Sequence, residues 1–297
     1  MDPLLIPFGF GVGLLVGLTG IGGGSLMTPL LILVFGIKPV IAIGTDLAYG
    51  AATKTVGGFK HWRQKTVDFR LSAWMALGSI PAAIGGVYVL EALERSQGEE
   101  FDELLLTLLG AALLFTGVMT LARALFLKRL IDRERETIDL KPWHKAAAVT
   151  LGVFVGFVLG ITSAGSGALI AVGLILIFQL VPTRVVGTDI FHAALLLWAA
   201  AAAHVVAGNV DWALAGTILI GSVPGVWLGS HWSVRIEVAT LRTVMAIVLL
   251  GSGLGLLAKA DVGIPAWVLA AFPVFVALLV GREAVKRRRR RRPPVTA

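Results

Sequence analysis

The 297-residue chain contains no cysteine, only two tyrosines and just 15% charged residues. Without cysteine there can be no disulfide, no thiolate metal site and no thiol nucleophile. A soluble domain carries about a quarter of its residues as Asp, Glu, Lys and Arg, so the chain lacks the polar surface such a domain needs. Sequence motifs for chemistry are missing as well. Neither H-E-x-x-H nor G-x-S-x-G occurs, the five histidines do not gather at metal-ligand spacing, and there is no G-x-x-x-x-G-K-[ST]. The expectation is a protein that is not an enzyme, uses no cofactor or metal, and draws its energy from an ion or substrate gradient. Met1-Asp2-Pro3 also lacks the basic stretch of a signal peptide.

What is present is overwhelmingly apolar. Hydrophobic residues make up 57% of the chain, and the mean hydropathy is +0.87. This composition predicts an all-α polytopic membrane protein. The net charge of +8 is concentrated in Arg282 to Arg292, including the run Arg287-Arg288-Arg289-Arg290-Arg291-Arg292. A basic segment directly after an apolar helix reads as a cytoplasmic anchor under the positive-inside rule, in preference to a nucleic-acid site.

The chain repeats itself at a spacing of 143 residues. Gly17, Thr19, Gly22, Gly24 and Leu26 recur as Gly160, Thr162, Gly165, Gly167 and Leu169, and Gly44-Thr45-Asp46 recurs as Gly187-Thr188-Asp189. Between residues 17 and 86 no gap is needed, and about three positions in ten are identical. Loop charge then assigns sides. Lys60, Arg63, Lys65 and Arg70 make one loop basic, whereas its counterpart "AHVVAGNVDW" has no basic residue. The acidic loop with Glu91, Glu94, Glu99, Glu100, Asp102 and Glu103 corresponds to a mildly basic one near Arg235 and Arg242. Equivalent loops should therefore face opposite sides, as in two inverted-topology repeats with a substrate site near the midplane.

Apolar segments fall at 4–18, 25–37, 44–59, 70–90 and 104–126, then at 145–162, 167–181, 187–206, 212–230, 243–258 and 264–281. They predict about 8–11 membrane segments, with 25–37 and 167–181 too short to span and forming broken, glycine-rich hairpins. The expected organisation is a first repeat over 1–126, a cytoplasmic linker over 127–144 and a second repeat over 145–260. An additional membrane helix over 261–282 and a basic cytoplasmic tail over 283–297 complete it.

The hairpin tips, "TGIGGGS" at 19–25 and "TSAGSGA" at 162–168, each precede a helix. A helix N-terminus offers unpaired N–H groups and partial positive charge, and glycines let an anion approach. Thr19, Ser25, Thr162, Ser163 and Ser166 would add hydroxyl donors beside Gly22, Gly23, Gly24, Gly165 and Gly167. Small residues at this spacing also suit close packing of membrane helices. Asp46 and Asp189 suit either N-caps or groups for coupling and gating, with His192 one turn beyond Asp189. Pro81 and Pro224 interrupt long segments as packing kinks or hinges. Asp68 and Asp211 read as N-caps, His61 and His204 as interfacial residues, and Lys54 as a side chain snorkelling to the cytoplasm.

At "GLTGIGGGSLMTPLL", "AIGTDLA" and "GSIPAAIGG", and at their copies "GITSAGSGALI", "VVGTDIFHA" and "GSVPGVWLGS", the sequence resembles the TauE/SafE family of membrane permeases. The resemblance covers nearly the whole chain and implies export or uptake of sulfite or an organosulfonate such as sulfoacetate. The expected function is thus an inner-membrane secondary transporter for a small sulfur-containing anion, working by alternating access. An anion pore and a membrane-embedded enzyme are the alternatives. Its partners would be the anion, the lipid bilayer and, at most, further copies of itself. Replacing Gly23 with Val should abolish transport, measured in proteoliposomes, while the amount of protein in the membrane stays unchanged.

Overall fold

The computed structural model describes residues 3–19, 24–125, 135–233 and 238–263, with single positions beyond 264. Ten α-helices follow one another among these residues. They are α1 (Leu5–Thr19), α2 (Gly24–Val34), α3 (Pro39–Arg63), α4 (Phe69–Gln97) and α5 (Phe101–Leu125), then α6 (Pro142–Thr162), α7 (Ser166–Leu176), α8 (Pro182–Val206), α9 (Trp212–Ser233) and α10 (Val238–Lys259). The fold is all-α, and α4, α5, α6, α8, α9 and α10 are each long and apolar enough to cross a membrane. Half of the expected segment 264–281 lies outside the described residues, as do linker residues 126–134 and the tail 283–297.

Local rules set the boundaries. Pro39 and Pro182 open α3 and α8 at a position where the missing N–H costs nothing. These two helices therefore start five residues earlier than hydropathy suggests, and Asp46 and Asp189 lie two turns inside them. That corrects their reading as N-caps. Asp68 does cap α4, its carboxylate accepting from Leu71 N–H at 3.0 Å, and Asp211 caps α9 through Leu214 N–H at 2.9 Å. Helices α2 and α7 have 11 residues each. At 1.5 Å per residue they reach roughly 16 Å, about half of a hydrocarbon core.

Packing between the halves comes in matched pairs. Gly13 of α1 presses on the backbone of Ser222 in α9, and Gly156 of α6 presses on the backbone of Ser79 in α4. Likewise Gly221 meets Ile6, and Gly78 meets Val149. In each pair of contacts, every residue lies 143 positions from its counterpart, so one half does to the other what is done to it. Helices α3 and α8 pack antiparallel, Gly50 against Leu197 and Gly57 against Ile190. There Trp198 Nε1 donates to Thr55 Oγ1 at 2.9 Å, and on α5 and α10 Gly110 meets Gly253. Both of these contacts join a residue to its own counterpart.

Charge separates the two ends of the bundle. Lys60, Arg63, Lys65 and Arg70 lie where α3 ends and α4 begins, and Arg184 at the start of α8 joins them by donating to the Val67 carbonyl at 3.1 Å. At the opposite end, Glu91 and Glu94 line a groove shared with Val206 and Asn209.

Two expectations follow. Because a Cβ on Gly156 would overlap three backbone atoms of Ser79 while Gly85 faces open space, Gly156→Val should lower stability by about 3 kcal/mol. Gly85→Ala should not, as thermal unfolding in detergent will show. With no native cysteine to remove, single cysteines at Lys65 and Glu94 can be probed with an impermeant maleimide, and they should label from opposite faces of the membrane.

Candidate functional site

Helix α6 ends at Thr162, and α7 begins at Ser166. The three residues between them reverse the chain inside the protein. Ser163 has φ 58° and Gly165 has φ 100°, both in the left-handed region. For Gly165 this conformation is unstrained, whereas Ser163 is held in it by neighbours. Its N–H donates to Leu159 O at 2.8 Å, closing α6, and its side chain leaves the hairpin altogether.

That side chain reaches the other half of the chain. Ser163 Oγ donates to Asp46 Oδ2 at 2.7 Å, and Thr28 Oγ1 of α2 donates to the same oxygen at 2.6 Å. Such distances suit hydroxyl donors bonded to a carboxyl oxygen. Asp46 and the two hydroxyl residues are at most 1% exposed. A single carboxylate thus ties together the short helix of the first half, its own helix α3 and the tip of the second half. Asp46 Oδ1 has no partner among the described residues. One turn along α3, Tyr49 is set against Ser222, and neither hydroxyl completes a hydrogen bond among the described residues. Thr116 of α5 places another unpartnered hydroxyl 3.4 Å from where a Cβ on Gly165 would stand.

The remaining sequence-derived candidates divide clearly. Gly22 and Gly23 lie outside the described residues, Thr19 ends α1, and Gly24 opens α2 with Ser25 buried in its first turn. Thr162 gives its hydroxyl proton to Val158 O at 2.6 Å and accepts from Ala164 N–H at 3.2 Å, so it shapes the tip and has no proton left for a ligand. Gly165 is the N-cap of α7, followed by Ser166 and Gly167 in its first turn, where the leading N–H groups lack helical acceptors. Pro81 and Pro224 lie within α4 and α9, each two residues beyond a buried serine, Ser79 or Ser222.

His192 is fully buried between Ser79, whose Oγ lies 3.2 Å from Nε2, and Ser72, 3.4 Å from Nδ1. Asp189, two turns into α8, is buried and has one oxygen without a partner among the described residues. Lys54 is only 7% exposed, which corrects its reading as a snorkelling side chain. It sits between Gly50 and Gly57 on the face of α3 that packs on α8. His204 is also buried, where an interfacial position was expected, and its Nε2 lies 3.1 Å from Gly160 O in the last turn of α6. A carbonyl there has no helical donor, and the imidazole supplies one.

Sequence reading overlooked several participants. Thr45 and Thr188, the middle residues of the two Gly-Thr-Asp motifs, bind across the halves. Asp211 N–H donates to Thr45 Oγ1 at 3.0 Å, and Asp68 N–H donates to Thr188 Oγ1 at 2.9 Å. Their recurrence in both copies was a usable signal. Thr28 and Thr116 carried none, because both are ordinary polar breaks in apolar helices.

The sequence family described as "Sulfite exporter TauE/SafE" matches residues 5–256. Among curated proteins, the probable membrane transporter protein YjnA of Bacillus subtilis is 43% identical over 260 residues, covering 86% of this chain and all of YjnA. The probable membrane transporter protein YunE of the same organism is 24% identical, covering 83% of this chain and 94% of YunE. A third, MJ0441 of Methanocaldococcus jannaschii, also named a probable membrane transporter protein, is 28% identical over 57% of this chain and 59% of its own length. No solved structure matches the chain. With six helices among the described residues long and apolar enough to cross a membrane, a buried carboxylate bonded by one short helix and by the tip that precedes the other, and this match along nearly its whole length, the chain belongs to the TauE/SafE family of membrane transporters.

Proposed function

We propose that this protein is a secondary transporter of a small sulfur-containing anion, such as sulfite, sulfoacetate or a related organosulfonate. It would sit in the cell inner membrane with its basic end and arginine tail in the cytoplasm, and it would work by alternating access. In this reading residues 1–126 and 145–260 are repeats inverted across the bilayer, joined by the linker 127–144, with 261–282 as an additional helix. The antiparallel packing of the counterpart helices α3 and α8 supports that arrangement. The name of the matching family supports the substrate class.

The observation that carries the mechanism is the bond between Ser163 and Asp46. A serine hydroxyl has one proton to give. While the carboxylate holds it, an anion arriving at the tip meets both an occupied donor and a negative charge. Protonation of Asp46 removes the charge and releases Ser163, which can then donate to the anion beside the free N–H groups at the start of α7. Anion and proton would thus bind as a pair, and an electrochemical proton gradient would drive the anion. The hydroxyls of Thr28 and Thr116 complete a neutral, donor-rich site that needs no cation of its own.

Uptake of radiolabelled sulfite and sulfoacetate into proteoliposomes, with and without a pH gradient, tests this directly. Transport should respond to the gradient, and Ser163→Ala should reduce it about tenfold, as expected for loss of a hydrogen bond to a charged group. Asp46→Asn should leave residual flux that ignores pH. If neither anion moves or competes, the substrate assignment is wrong. If wild-type flux shows neither counterflow nor proton dependence, the protein is an anion pore.

A further inference from the structure

The loop that joins α3 to α4 carries a lysine where the fold favours glycine. Lys65 has φ 56°, in the left-handed region. Its N–H donates to Trp62 O at 3.0 Å, and Thr66 N–H donates to His61 O at 3.2 Å, the pair of bonds that ends a helix with glycine at the turning position. The same pair ends α8, where Gly208 N–H donates to Val205 O at 3.1 Å and Asn209 N–H to His204 O at 2.9 Å. Gly208 is the counterpart of Lys65, and it holds φ 78° without strain. The first half therefore keeps an ammonium at this turn against the backbone's preference.

Lys65 lines a cavity of about 560 Å³ together with Arg63 at the end of α3 and Arg184 at the start of α8. The Arg184 guanidinium is anchored by its bond to the Val67 carbonyl, and that of Arg63 lies over the Phe59 ring, 5.9 Å from its centre. Among the described residues, none of the three cations has a carboxylate within 4 Å. The counterparts of Arg63, Lys65 and Arg184 are Val206, Gly208 and Ile41, so the other half has no such cluster. Three aromatic rings line the same cavity. Phe59 and Trp62 meet edge to face at 5.7 Å, and both they and Phe69 are exposed. One turn before Phe59, Val56 is 74% exposed, so the apolar flank of α3 continues from the cavity away from the basic end. Positive charge at one end is general to membrane proteins. Three unpaired cations around one cavity, with exposed rings beside them, are a more specific arrangement.

We infer that this cavity binds an anionic phospholipid from the leaflet at the basic end, with the phosphate among Arg63, Lys65 and Arg184 and an acyl chain along Phe59 and Val56. Guanidinium groups hold phosphate oxygens through paired N–H donors, and an ammonium adds a point charge from any direction. A small free anion would use the cations and leave the rings and the apolar flank without a role. A phospholipid uses both, because its charge and its hydrocarbon are joined at the depth where aromatic side chains gather. Arg63 and Lys65 belong to the first half of the chain and Arg184 to the second, so the bound lipid ties the halves together at this end. The inference requires only that the chain lie in a bilayer, and it is independent of what the protein transports.

The test is native mass spectrometry of the full-length chain in detergent with equal amounts of phosphatidylglycerol and phosphatidylcholine, counting the lipids that each variant retains. The wild type should retain phosphatidylglycerol in preference. Arg63→Gln and Arg184→Gln should each lower that preference about tenfold, the size expected for a hydrogen bond to a charged group. Lys60→Gln and Arg70→Gln, at the same end but outside the cavity, should leave it unchanged. Equal losses in these two would reduce the effect to general surface charge and overturn the site. Lys65→Gly separates binding from folding, because it should raise the thermal unfolding temperature in lipid-free detergent by relieving the left-handed turn, while lowering phosphatidylglycerol retention. Binding of free glycerol phosphate as readily as of the lipid would overturn the lipid assignment in favour of a small-anion site. Absence of any preference in the wild type, or full retention in the cavity variants, would overturn the inference and leave the transport reading standing.

Discussion

A helix that stops inside a membrane protein leaves its last carbonyls and first N–H groups where no water can satisfy them. Two half-length helices impose that constraint here, and much of the polar architecture answers it. His204 reaches across from α8 to the Gly160 carbonyl, and Lys259 of α10 donates to the Ile32 carbonyl near the end of α2 at 2.9 Å. The far end of α7 is closed by the linker, where Arg135 exchanges backbone hydrogen bonds with Gln179 and Val181. Among the described residues the start of α7 has no comparable cover, and that is where the hydroxyls of Ser163 and Thr116 collect. The backbone groups left uncovered and the groups suited to an anion are in the same place.

Cross-half bonding explains why the Gly-Thr-Asp motif occurs twice. Its glycine lets a neighbouring loop touch the helix, Gly44 meeting Asn209 and Gly187 meeting Thr66, which are themselves counterparts. Its threonine holds the N-terminus of the opposite half's fourth helix. Only its aspartate differs in use between the halves. The threonine and glycine are shared scaffold, and the aspartate is where the copies have diverged.

Much of this was legible from residue order. The 143-residue repeat, the short helices 24–34 and 166–176, the caps at Asp68 and Asp211 and the opposed basic and acidic ends all follow from local chemistry or simple charge counting. What could not be read depended on partners distant in sequence. Asp46 looked like a cap because hydropathy begins near it, whereas Pro39 fixes the earlier start. Lys54 looked able to reach water because its own helix offers a route, but the face it occupies is covered by α8. Thr116 gains meaning only once α5 lies beside the second tip, an adjacency that no local pattern encodes.

The bond between Ser163 and Asp46 has a consequence for the balance between conformations. In a transporter of two related halves, the opposite-facing state can be pictured as each half taking the other's shape. Contacts that join a residue to its own counterpart, Trp198 to Thr55 and Gly110 to Gly253, map onto themselves under that exchange and survive it. The latch maps onto Asp189 with Gly20 and Ala171, which carry no hydroxyl at all. Under the proposed alternating access, two hydrogen bonds to a carboxylate, each worth about 1.5–3 kcal/mol when it is charged, would exist in one facing and have no equivalent in the other. The repeat would make the two states alike in shape, and the absence of the two hydroxyls at positions 20 and 171 would make them unequal in energy.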